Sequence, residues 1–374
     1  MSVPKRILVR GVNWLGDAIM STPALQRLRE ALPEAEIVLL TPSKLAEVWR
    51  HYPNVNRVIE FSPEEGPWRV AGRLRRERFD TTLVLPNSPR SALDVWLAGI
   101  PTRIGYARPW RNCFLTRALP TRRGHVRMQK RSAAEAKQLL ANSPASGRTE
   151  PPATAHHLFD YLHLAAALGA KETPVSPRLC IAPDEVEETA RRFGLDAKQL
   201  LFGINAGAQY GPAKRWPVER FIAAAAEAQK RCNCRWLIFG GAHETELASQ
   251  IAQGIKQAGG GSDQASAPLN VAGRSSLRDL CVLLKSCRVL LTNDSGPMHV
   301  AAAVGTPVVV PFGSTSPEMT GPGLPGSREG LLIGQAPCAP CFLRQCPVDF
   351  RCMNSISVPQ VVDALLNAVA RQKP

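Results

Sequence analysis

The feature that most constrains the fold of this chain is an alternation of short apolar runs with longer amphipathic runs, repeated in each half. Apolar runs such as Arg6–Val9 and Leu201–Asn205 predict buried strands, and runs such as Thr22–Ala31 and Val218–Arg231 predict helices. Strands that alternate with helices favour parallel sheets covered by helices. We therefore predict an α/β protein with two similar domains whose parallel sheets face a central cleft.

The other runs continue the same rhythm through both domains. The further predicted strands are Ile37–Leu40, Val58–Phe61, Thr82–Leu85, Arg235–Gly240, Val289–Thr292 and Val308–Phe312. The further predicted helices are Pro42–His51, His157–Leu168, Glu244–Gln257, Leu277–Lys285, Gly296–Val304 and Pro359–Arg371. Because ligands of open α/β sheets bind at the carboxyl ends of the strands, we look for function in the turns that follow them.

Segments rich in proline, serine and other polar residues predict the domain boundaries. Lys171–Pro177 predicts a linker between a first domain at 1–175 and a second at 176–374. Within the first domain, 129–155 predicts an insertion loop, and Gly259–Pro268 predicts a loop in the second domain.

Composition narrows the location of the protein. The chain has 374 residues and 44% of them are hydrophobic, but no apolar run reaches the roughly 18 residues of a membrane-spanning helix. The apolar core Ile7–Val9 is too short for a secretory signal, which predicts a cytoplasmic protein. Ten cysteines in such a chain are too sparse for a disulfide scaffold.

The positive charge is concentrated in the first half. Residues 1–160 contain 25 Lys/Arg and 14 Asp/Glu, whereas residues 161–374 contain 21 and 17. Such a surface is either merely soluble or binds an acidic partner, namely nucleic acid, anionic lipid or a phosphorylated substrate. The densest patch lacks the interleaved aromatic residues of a single-strand-binding surface, so we expect no nucleic-acid partner. The members of this patch are Arg122, Arg123, Arg127, Lys130 and Arg131.

The strongest local motif runs from Asp294 to His299. Asp294 and Ser295 stand at the N-cap of a predicted helix, whose free N–H groups and dipole suit a phosphate. The Ser295 hydroxyl can add a donor, and Gly296 lets the backbone approach the ligand closely. The alternative interpretation is a well-capped helix without a ligand.

Two further motifs in the second domain follow predicted strands. In the first, Asn205 and Gly207 precede Lys214, whose ammonium suits a diphosphate and favours its departure without a metal. A surface Lys-Arg pair is the alternative. In the second, Glu244 or Glu246 can accept hydrogen bonds from a ribose diol, or the two acids simply complement the dipole of a helix start.

A motif after the first strand places Asn13 and Asp17 in a turn that lacks the G-x-G-x-x-G pattern of dinucleotide-binding folds. A carboxylate at this position predicts a general base that removes a proton from an acceptor hydroxyl. A helix cap is the alternative role for Asp17.

Four closely spaced cysteines near the C-terminus predict either a structural metal site or free, reversibly oxidised thiols. Their spacing matches none of the standard zinc patterns, and iron–sulfur ligation is another alternative. The four are Cys338, Cys341, Cys346 and Cys352, within the Cys-rich segment 338–352.

Taken together, three of these motifs resemble glycosyltransferase family 9, the bacterial heptosyltransferases. The resemblance rests on Gly16-Asp17, on the Gly-Pro-Ala-Lys-Arg-Trp-Pro run at 211–217, and on the Asp-Ser-Gly-Pro-Met-His run at 294–299. The cysteines at 338–341 and 346 fit the same family. The motifs occur in the expected order and cover about residues 5–370.

The resemblance implies a GT-B fold, with two Rossmann-like domains whose parallel sheets face a central cleft. It also implies an inverting transfer of heptose from ADP-L-glycero-D-manno-heptose. The implied acceptor is the first heptose of the lipopolysaccharide inner core, carried on Kdo2-lipid A at the cytoplasmic face of the inner membrane. Asp17 would be the catalytic base and Lys214 would hold the diphosphate, with no cofactor required for catalysis. The other implied donor-binding residues are Asn205, Gly207, Glu244, Asp294, Ser295, Gly296 and His299. The acceptor-binding residues expected in the first domain are Asn13, Arg122 and Arg123.

Two alternatives remain open from the sequence. One is a family 9 enzyme that acts at another core position or uses another nucleotide sugar. The other is a non-catalytic protein that binds a sugar nucleotide or lipopolysaccharide, which the presence of both Asp17 and Lys214 disfavours.

Overall fold

The computed structural model describes residues 3–142, 148, 150–196, 198–259 and 266–371. The chain divides into two compact units. The first unit comprises Met1–His125 and Thr154–Cys180, and the second comprises Val126–Ala153 and Ile181–Pro374.

The first unit contains a parallel sheet with the strand order β3-β2-β1-β4-β5-β6 among its described residues. The central strand β1 pairs with β2 through Val9 opposite Leu39 and with β4 through Val9 opposite Leu83. All three side chains are buried, as expected for a parallel sheet covered on both faces. The strands are β1 (Arg6–Arg10), β2 (Glu36–Pro42), β3 (Arg57–Phe61), β4 (Thr81–Val84), β5 (Thr102–Tyr106) and β6 (Arg117–Leu119).

The described residues of the second unit form a second parallel sheet, with the order β12-β11-β10-β7-β8-β9. Its central strands are the most apolar runs of the chain, and β7, β10 and β11 are buried throughout. The strands are β7 (Leu201–Asn205), β8 (Arg235–Ile238), β9 (Leu269–Asn270), β10 (Val289–Thr292), β11 (Val308–Phe312) and β12 (Leu331–Ile333).

Helices connect successive strands in both units. The α-helices are α1 (Leu15–Met20), α2 (Thr22–Ala31), α3 (Pro67–Arg76), α4 (Pro89–Leu97), α5 (Ala133–Asn142), α6 (Leu158–Ala166), α7 (Pro183–Arg192), α8 (Val218–Cys232), α9 (Thr245–Gln257), α10 (Leu277–Ser286), α11 (Gly296–Ala303), α12 (Pro317–Thr320), α13 (Arg351–Asn354) and α14 (Val358–Arg371). Short 3-10 helices occupy Ser43–Trp49, Asn112–Phe114, Ala153–Ala155, Pro212–Lys214 and Ala242–Glu244.

Each sheet has a point at which the strand order reverses direction. In the first sheet it lies between β1 and β4, and in the second between β7 and β10. The register of the second sheet pairs Asn205 with Thr292, so both strands end side by side. The loops that leave a reversal point diverge and open a crevice for a ligand. The fold therefore directs attention to the turns after β1, β7 and β10.

Large apolar side chains fill the core of the second unit. Trp216 and Phe221 meet edge to face with their ring centroids 5.2 Å apart, and Phe202 and Trp236 do the same at 5.3 Å. Burial of each such side chain stabilises the fold by about 1.5–3 kcal/mol. Because Trp216 follows Lys214 by two positions, this packing also fixes the turn that carries the lysine.

The predicted fold class is confirmed, with several differences in detail. The helix Thr22–Ala31 and the strands Leu201–Asn205, Val289–Thr292 and Val308–Phe312 have the predicted bounds. The predicted helix Pro42–His51 is instead a continuation of β2 followed by a 3-10 helix. Residues 143–147 and 149 of the predicted insertion, and 260–265 of the predicted loop Gly259–Pro268, lie outside the described residues.

The segment that was expected as an insertion in the first domain packs on the second unit. It contains α5, whose Ala136 is buried in the core of the second unit. The backbone N–H of Arg131 donates to the carbonyl of Cys341 at 3.0 Å. The Arg148 side chain donates to the carbonyls of Gly313 at 2.8 Å and Gly334 at 3.2 Å. Because of these contacts, the segment belongs to the second unit, although residues of the first unit precede and follow it in the chain. Its assignment to the first domain was wrong.

Candidate functional site

The turn after β1 places Asp17 in the first turn of α1. The Tyr161 hydroxyl on α6 donates to Asp17 Oδ1 at 2.8 Å. Burial, and then the nearby carboxylate of Asp17, raise the pKa of Tyr161 well above its ordinary value, so the phenol stays protonated and acts as a donor. One carboxylate oxygen is thus fixed by the protein, and Asp17 has a second oxygen with which to accept a proton.

His157 lies beside this pair, one residue before α6. Burial lowers its pKa from the ordinary 6.5, Asp17 and Asp160 oppose this effect, and His125 and Arg122 lower the pKa further. A neutral imidazole next to the carboxylate can donate or accept a hydrogen bond without adding charge. The first unit therefore offers a polar, partly desolvated site for a hydroxyl that loses a proton.

Arg122 is a largely buried side chain close to Asp160 and His157. Its side chain is only 7% exposed, and its Nε donates to Asp160 Oδ1 at 2.6 Å. A further donation reaches the carbonyl of Thr154 at 2.7 Å. These contacts favour a structural role for Arg122, whereas Arg123 is exposed and Asn13 is half-buried in the turn after β1. The densest basic patch thus contains both a structural and an accessible arginine.

In the second unit, Lys214 and Asp294 form an ion pair. Lys214 Nζ lies 2.6 Å from Asp294 Oδ2, with side-chain exposures of 13% and 4%. The Thr315 hydroxyl donates to the same carboxylate oxygen at 2.6 Å. Lys214 also lies 4.9 Å above the ring of Tyr210, an arrangement that stabilises a cation. Sequence reasoning missed Thr315 and Tyr210, although Thr315 follows the buried strand β11 and Tyr210 lies within the Lys214 turn.

Hydrogen bonds of amide and hydroxyl side chains connect the turn after β7 to the turn after β10. Asn293 Oδ1 accepts from the backbone N–H of Trp216 at 2.9 Å, and its Nδ2 donates to the carbonyl of Ala206 at 2.7 Å. Asn205 Nδ2 donates to the Ser295 hydroxyl at 3.3 Å. Asn293 is fully buried, so loss of these hydrogen bonds would leave its polar groups unsatisfied and destabilise the unit. The position of Lys214 relative to α11 is therefore fixed by the fold.

The N-terminus of α11 begins where the sequence predicted it. Ser295 occupies the N-cap position, and its hydroxyl lies with Asn205 and Thr292 rather than over the N–H groups of the helix. The predicted N-cap position is confirmed, and donation by the Ser295 hydroxyl to a phosphate stays a prediction. The first N–H groups of α11 and the positive end of its dipole have the chemistry that an anion site requires. His299 is buried one turn further along.

Gly207 and Glu244 fit closely against each other. A Cβ added at Gly207 would lie 1.8 Å from Glu244 Oε1, a distance that only glycine allows. The other oxygen of Glu244 accepts from the backbone N–H of Gly241 at 3.0 Å. The predicted acid therefore lies next to the turn after β7, half-buried at the carboxyl edge of the sheet.

A family model for glycosyltransferase family 9 (heptosyltransferase) matches residues 67–350. The chain belongs to glycosyltransferase family 9. Among curated relatives of this family 9 chain, lipopolysaccharide heptosyltransferase 2 of Escherichia coli (strain K12) is 29% identical over 85% of both chains. The protein of the same name from Salmonella typhimurium (strain LT2) is 30% identical, again over 85% of both.

A solved structure is similar over almost the whole family 9 chain. The structure of E. coli ADP-heptose lps heptosyltransferase II has a TM-score of 0.76 and 26% sequence identity, and the match covers 99% of this chain and 100% of that one. This similarity confirms the predicted GT-B fold, and the family assignment confirms the predicted glycosyltransferase. The named relatives also support the predicted heptose transfer in lipopolysaccharide core synthesis.

The four cysteines near the C-terminus of the family 9 chain are free thiols in the structure. Across the described residues, no three or more His, Cys, Asp or Glu side chains are grouped to hold a metal ion. Cys338, Cys341 and Cys352 instead pack into the apolar core of the second unit, without disulfide bonds. Burial, together with the neighbouring thiols, raises the pKa of Cys352 to about 12. At neutral pH this cysteine is a protonated, packing side chain.

The helices of the described chain all fall short of the length and apolar character that a membrane span requires.

Proposed function

We propose that this family 9 enzyme transfers L-glycero-D-manno-heptose from ADP-L-glycero-D-manno-heptose to the first heptose of the inner core on Kdo2-lipid A. The observation that carries the proposal is the position of Lys214, ion-paired and held beside the N-terminus of α11. A cation next to a helix N-terminus is suited to a diphosphate that gains charge as it leaves.

Lys214 can serve the donor without leaving Asp294. An ammonium group has three N–H donors. The ion pair uses one of them, and the backbone carbonyl of Asp294 accepts from Lys214 Nζ at 3.5 Å. The third is available to an oxygen of the diphosphate, together with the backbone N–H of Gly296. Asp294 thus keeps the lysine in place, and Thr315 keeps Asp294 in place. This arrangement supplies fixed positive charge to the leaving group with little reorganisation.

Asp17 supplies the other half of the reaction. The Tyr161 hydroxyl fixes Oδ1, and Oδ2 accepts the proton of the attacking hydroxyl. A general base of this kind needs hydrogen-bond reach to the proton that it removes. Because His157 beside it is neutral, no positive charge from this imidazole offsets the Asp17 carboxylate, which is available to accept the proton.

The proposed step is a single displacement that inverts the anomeric carbon. The acceptor oxygen forms a bond to C1 of the heptose, and the bond from C1 to the β-phosphate oxygen breaks. ADP departs with the bonding electron pair, and Asp17 receives the hydroxyl proton. The transition state has oxocarbenium character, as in glycoside hydrolysis.

The remaining residues of the proposed site divide by unit. Glu244, adjacent to Gly207, is placed to accept hydrogen bonds from the donor ribose, and Asn205, Asp294, Ser295 and His299 shape the donor pocket. Asn13 and Arg123 are proposed to contact the acceptor, and Arg122 to support them through Asp160. The enzyme is proposed to work at the cytoplasmic face of the inner membrane as a peripheral protein, since its lipid-linked acceptor is there.

The test is transfer of heptose from ADP-heptose to two acceptors, one that carries the first heptose on Kdo2-lipid A and one that lacks it. Product with the heptosylated acceptor alone supports the proposal. Product with the bare acceptor alone would move the enzyme one step earlier and refute the proposed acceptor. Donor binding without any transfer would favour a non-catalytic binding protein.

Substitution of the base completes the test. Asp17→Asn preserves shape and is expected to lower kcat about 10²–10⁴-fold, the usual contribution of general base catalysis. Asp184→Asn, at an exposed acid in the first turn of α7, is the matched control and should transfer heptose at the wild-type rate. Wild-type transfer by Asp17→Asn would refute the assignment of the base.

A further inference from the structure

Large exposed aromatic side chains are concentrated in the first unit. Trp68 is 72% exposed, Trp96 45% and Trp110 88%. An indole ring in water is unfavourable, because it exposes a large apolar area. The other unit buries both of its tryptophans, Trp216 and Trp236. The exposed indole rings of the first unit therefore indicate a surface that binds a partner.

Two neighbouring helices on one face of the first sheet carry Trp68 and Trp96. α3 and α4 connect strands that advance in the same direction, from β3 to β4 and from β4 to β5, so right-handed crossovers place both on one face. At their N-terminal ends, the Arg90 side chain reaches the carbonyl of Glu65. At their C-terminal ends, Arg75 donates to the carbonyl of Leu97 at 2.7 Å. The helices are therefore parallel neighbours.

The three tryptophans lie around this pair of helices. Trp68 is in the first turn of α3, and Trp96, in the last turn of α4, packs on Phe114 with ring centroids 5.5 Å apart. Trp110 precedes Arg111, which donates to the carbonyl of Pro86 at 2.7 Å, just before α4. The loop with Trp110 is thus bonded to the segment that leads into α4.

Arginines accompany the rings. On α3, Arg69, Arg75 and Arg76 are exposed on the same side as Trp68, opposite the buried residues Val70 and Leu74. Two of the acids near α3 are paired, Glu65 with Arg73 and Glu77 with Arg57, whereas Glu64 is exposed in the segment before the helix. The aromatic–arginine surface, as we name it, carries excess positive charge. It consists of Trp68, Arg69, Arg75, Arg76, Trp96 and Trp110.

We propose that the aromatic–arginine surface docks on the anionic headgroup layer of a lipid bilayer. Indole rings favour the boundary between headgroups and acyl chains, and arginine side chains lay their stems on apolar surface while their guanidinium groups bind phosphates. The first unit as a whole has 22 Lys/Arg and 13 Asp/Glu, so its charge attracts such a layer. This inference rests on the proposed lipid-linked acceptor and names the surface that meets the membrane.

The test measures binding to vesicles without heptose transfer. Wild-type protein is sedimented with vesicles that contain about 30 mol% phosphatidylglycerol, and with phosphatidylcholine vesicles as the uncharged comparison. We expect binding to the anionic vesicles that weakens as salt rises. Reversal of two charges in Arg69→Glu/Arg76→Glu, or removal of two rings in Trp68→Ser/Trp110→Ser, should weaken that binding about tenfold or more.

The control variants carry equivalent changes on the second unit. Lys230→Glu/Lys256→Glu reverses two exposed charges on α8 and α9, and Leu324→Ser removes an apolar side chain that is 42% exposed. Both should bind vesicles as the wild type does. All variants should transfer heptose to a delipidated, water-soluble acceptor at the wild-type rate, which shows that they are folded.

Three results would overturn the docking surface. One is equal vesicle binding by the surface variants and the wild type, and another is no difference between the surface and control variants. The third is self-association of the wild type that the surface variants lose, measured by sedimentation velocity, because the surface would then bind a second copy. Vesicle binding without transfer to any acceptor would instead refute the proposed function and leave the docking surface intact.

Discussion

The ion pair between Lys214 and Asp294 allows the role of the lysine in the fold to be separated from its role in the reaction. Lys214→Met removes the ammonium and keeps most of the aliphatic stem, whereas Asp294→Asn removes the negative charge at nearly constant shape. Each single change leaves one side chain of a largely buried pair, 13% and 4% exposed, without its counter-charge.

Loss of one partner of a buried ion pair typically costs about 3–5 kcal/mol of unfolding free energy. In Lys214→Met, the Thr315 hydroxyl still donates to Asp294 at 2.6 Å, and a hydrogen bond to a charged group contributes about 1.5–3 kcal/mol. We therefore expect Lys214→Met to be destabilised by about 2 kcal/mol. The double variant leaves neither charge unpaired, so we expect it to be more stable than the sum of the single changes by about 1.5 kcal/mol or more.

Activity should follow a different pattern. If Lys214 contacts the leaving diphosphate, the double variant recovers stability but not turnover. By analogy with the loss of other fixed electrostatic donors, both Lys214→Met and the double variant should lose about 10²–10³-fold in kcat. Asp294→Asn, which retains the ammonium, should lose less and mainly through a higher KM for the donor.

Urea unfolding supplies the stabilities of the four proteins, and initial rates of ADP release in the presence of acceptor supply kcat and KM. Stability losses that simply add would show that the ion pair contributes nothing to the fold. Recovery of turnover in the double variant would refute the assignment of Lys214 to the diphosphate, because its charge would then act only through Asp294.

Three further predictions concern the turns after β7 and β1. Gly207→Ala forces Glu244 to move from a position 1.8 Å from the new Cβ, so the KM for the donor should rise and stability should fall by about 1–3 kcal/mol; an unchanged KM would contradict the placement of Glu244 beside the donor. Tyr161→Phe removes the donor to Asp17, and kcat/KM should fall about tenfold, equivalent to about 1.4 kcal/mol, with little change in the KM for the donor. Because burial lowers the pKa of His157 below its unfolded value of 6.5, the unfolded chain binds the proton more readily, and stability should fall as pH decreases from about 7. His157→Gln should flatten that part of the stability profile, and an unchanged profile would show that this histidine does not titrate on unfolding.

The sequence was most informative where buried strands are purely apolar. β7, β10 and β11 were predicted with their observed bounds because each is a short apolar run that ends at a polar or glycine-containing turn. The edge strand β6 and its neighbour β5 were missed, since Arg117–Leu119 and Thr102–Tyr106 begin with arginine or threonine residues that are only partly buried or exposed. The apolar pattern of a sequence reflects the burial of its side chains. A partly exposed strand buries too few side chains to produce a pattern that can be recognised.

Residues of the candidate site could be predicted only where they lie in a turn that follows a predicted strand. Lys214 and Asp294 could be placed together, because both follow strands of the same predicted sheet. Thr315 and Tyr161 could not, because a single hydroxyl or phenol carries no pattern and its partner lies far away in the chain. The position of Thr315 after β11 was the one available signal, since β11 neighbours β10 in the observed sheet.

The segment Val126–Ala153 has a consequence for the donor site that its composition did not suggest. Arg148 donates to the carbonyls of Gly313 and Thr315, which flank Ser314 in the turn after β11. That turn carries the Thr315 hydroxyl, which donates to Asp294, and Asp294 in turn pairs with Lys214. Because the Arg148 side chain is only 3% exposed, this arginine is a structural support of the turn. A segment that reads as an inserted loop therefore helps to hold the cation that the proposed reaction needs, through three successive polar contacts.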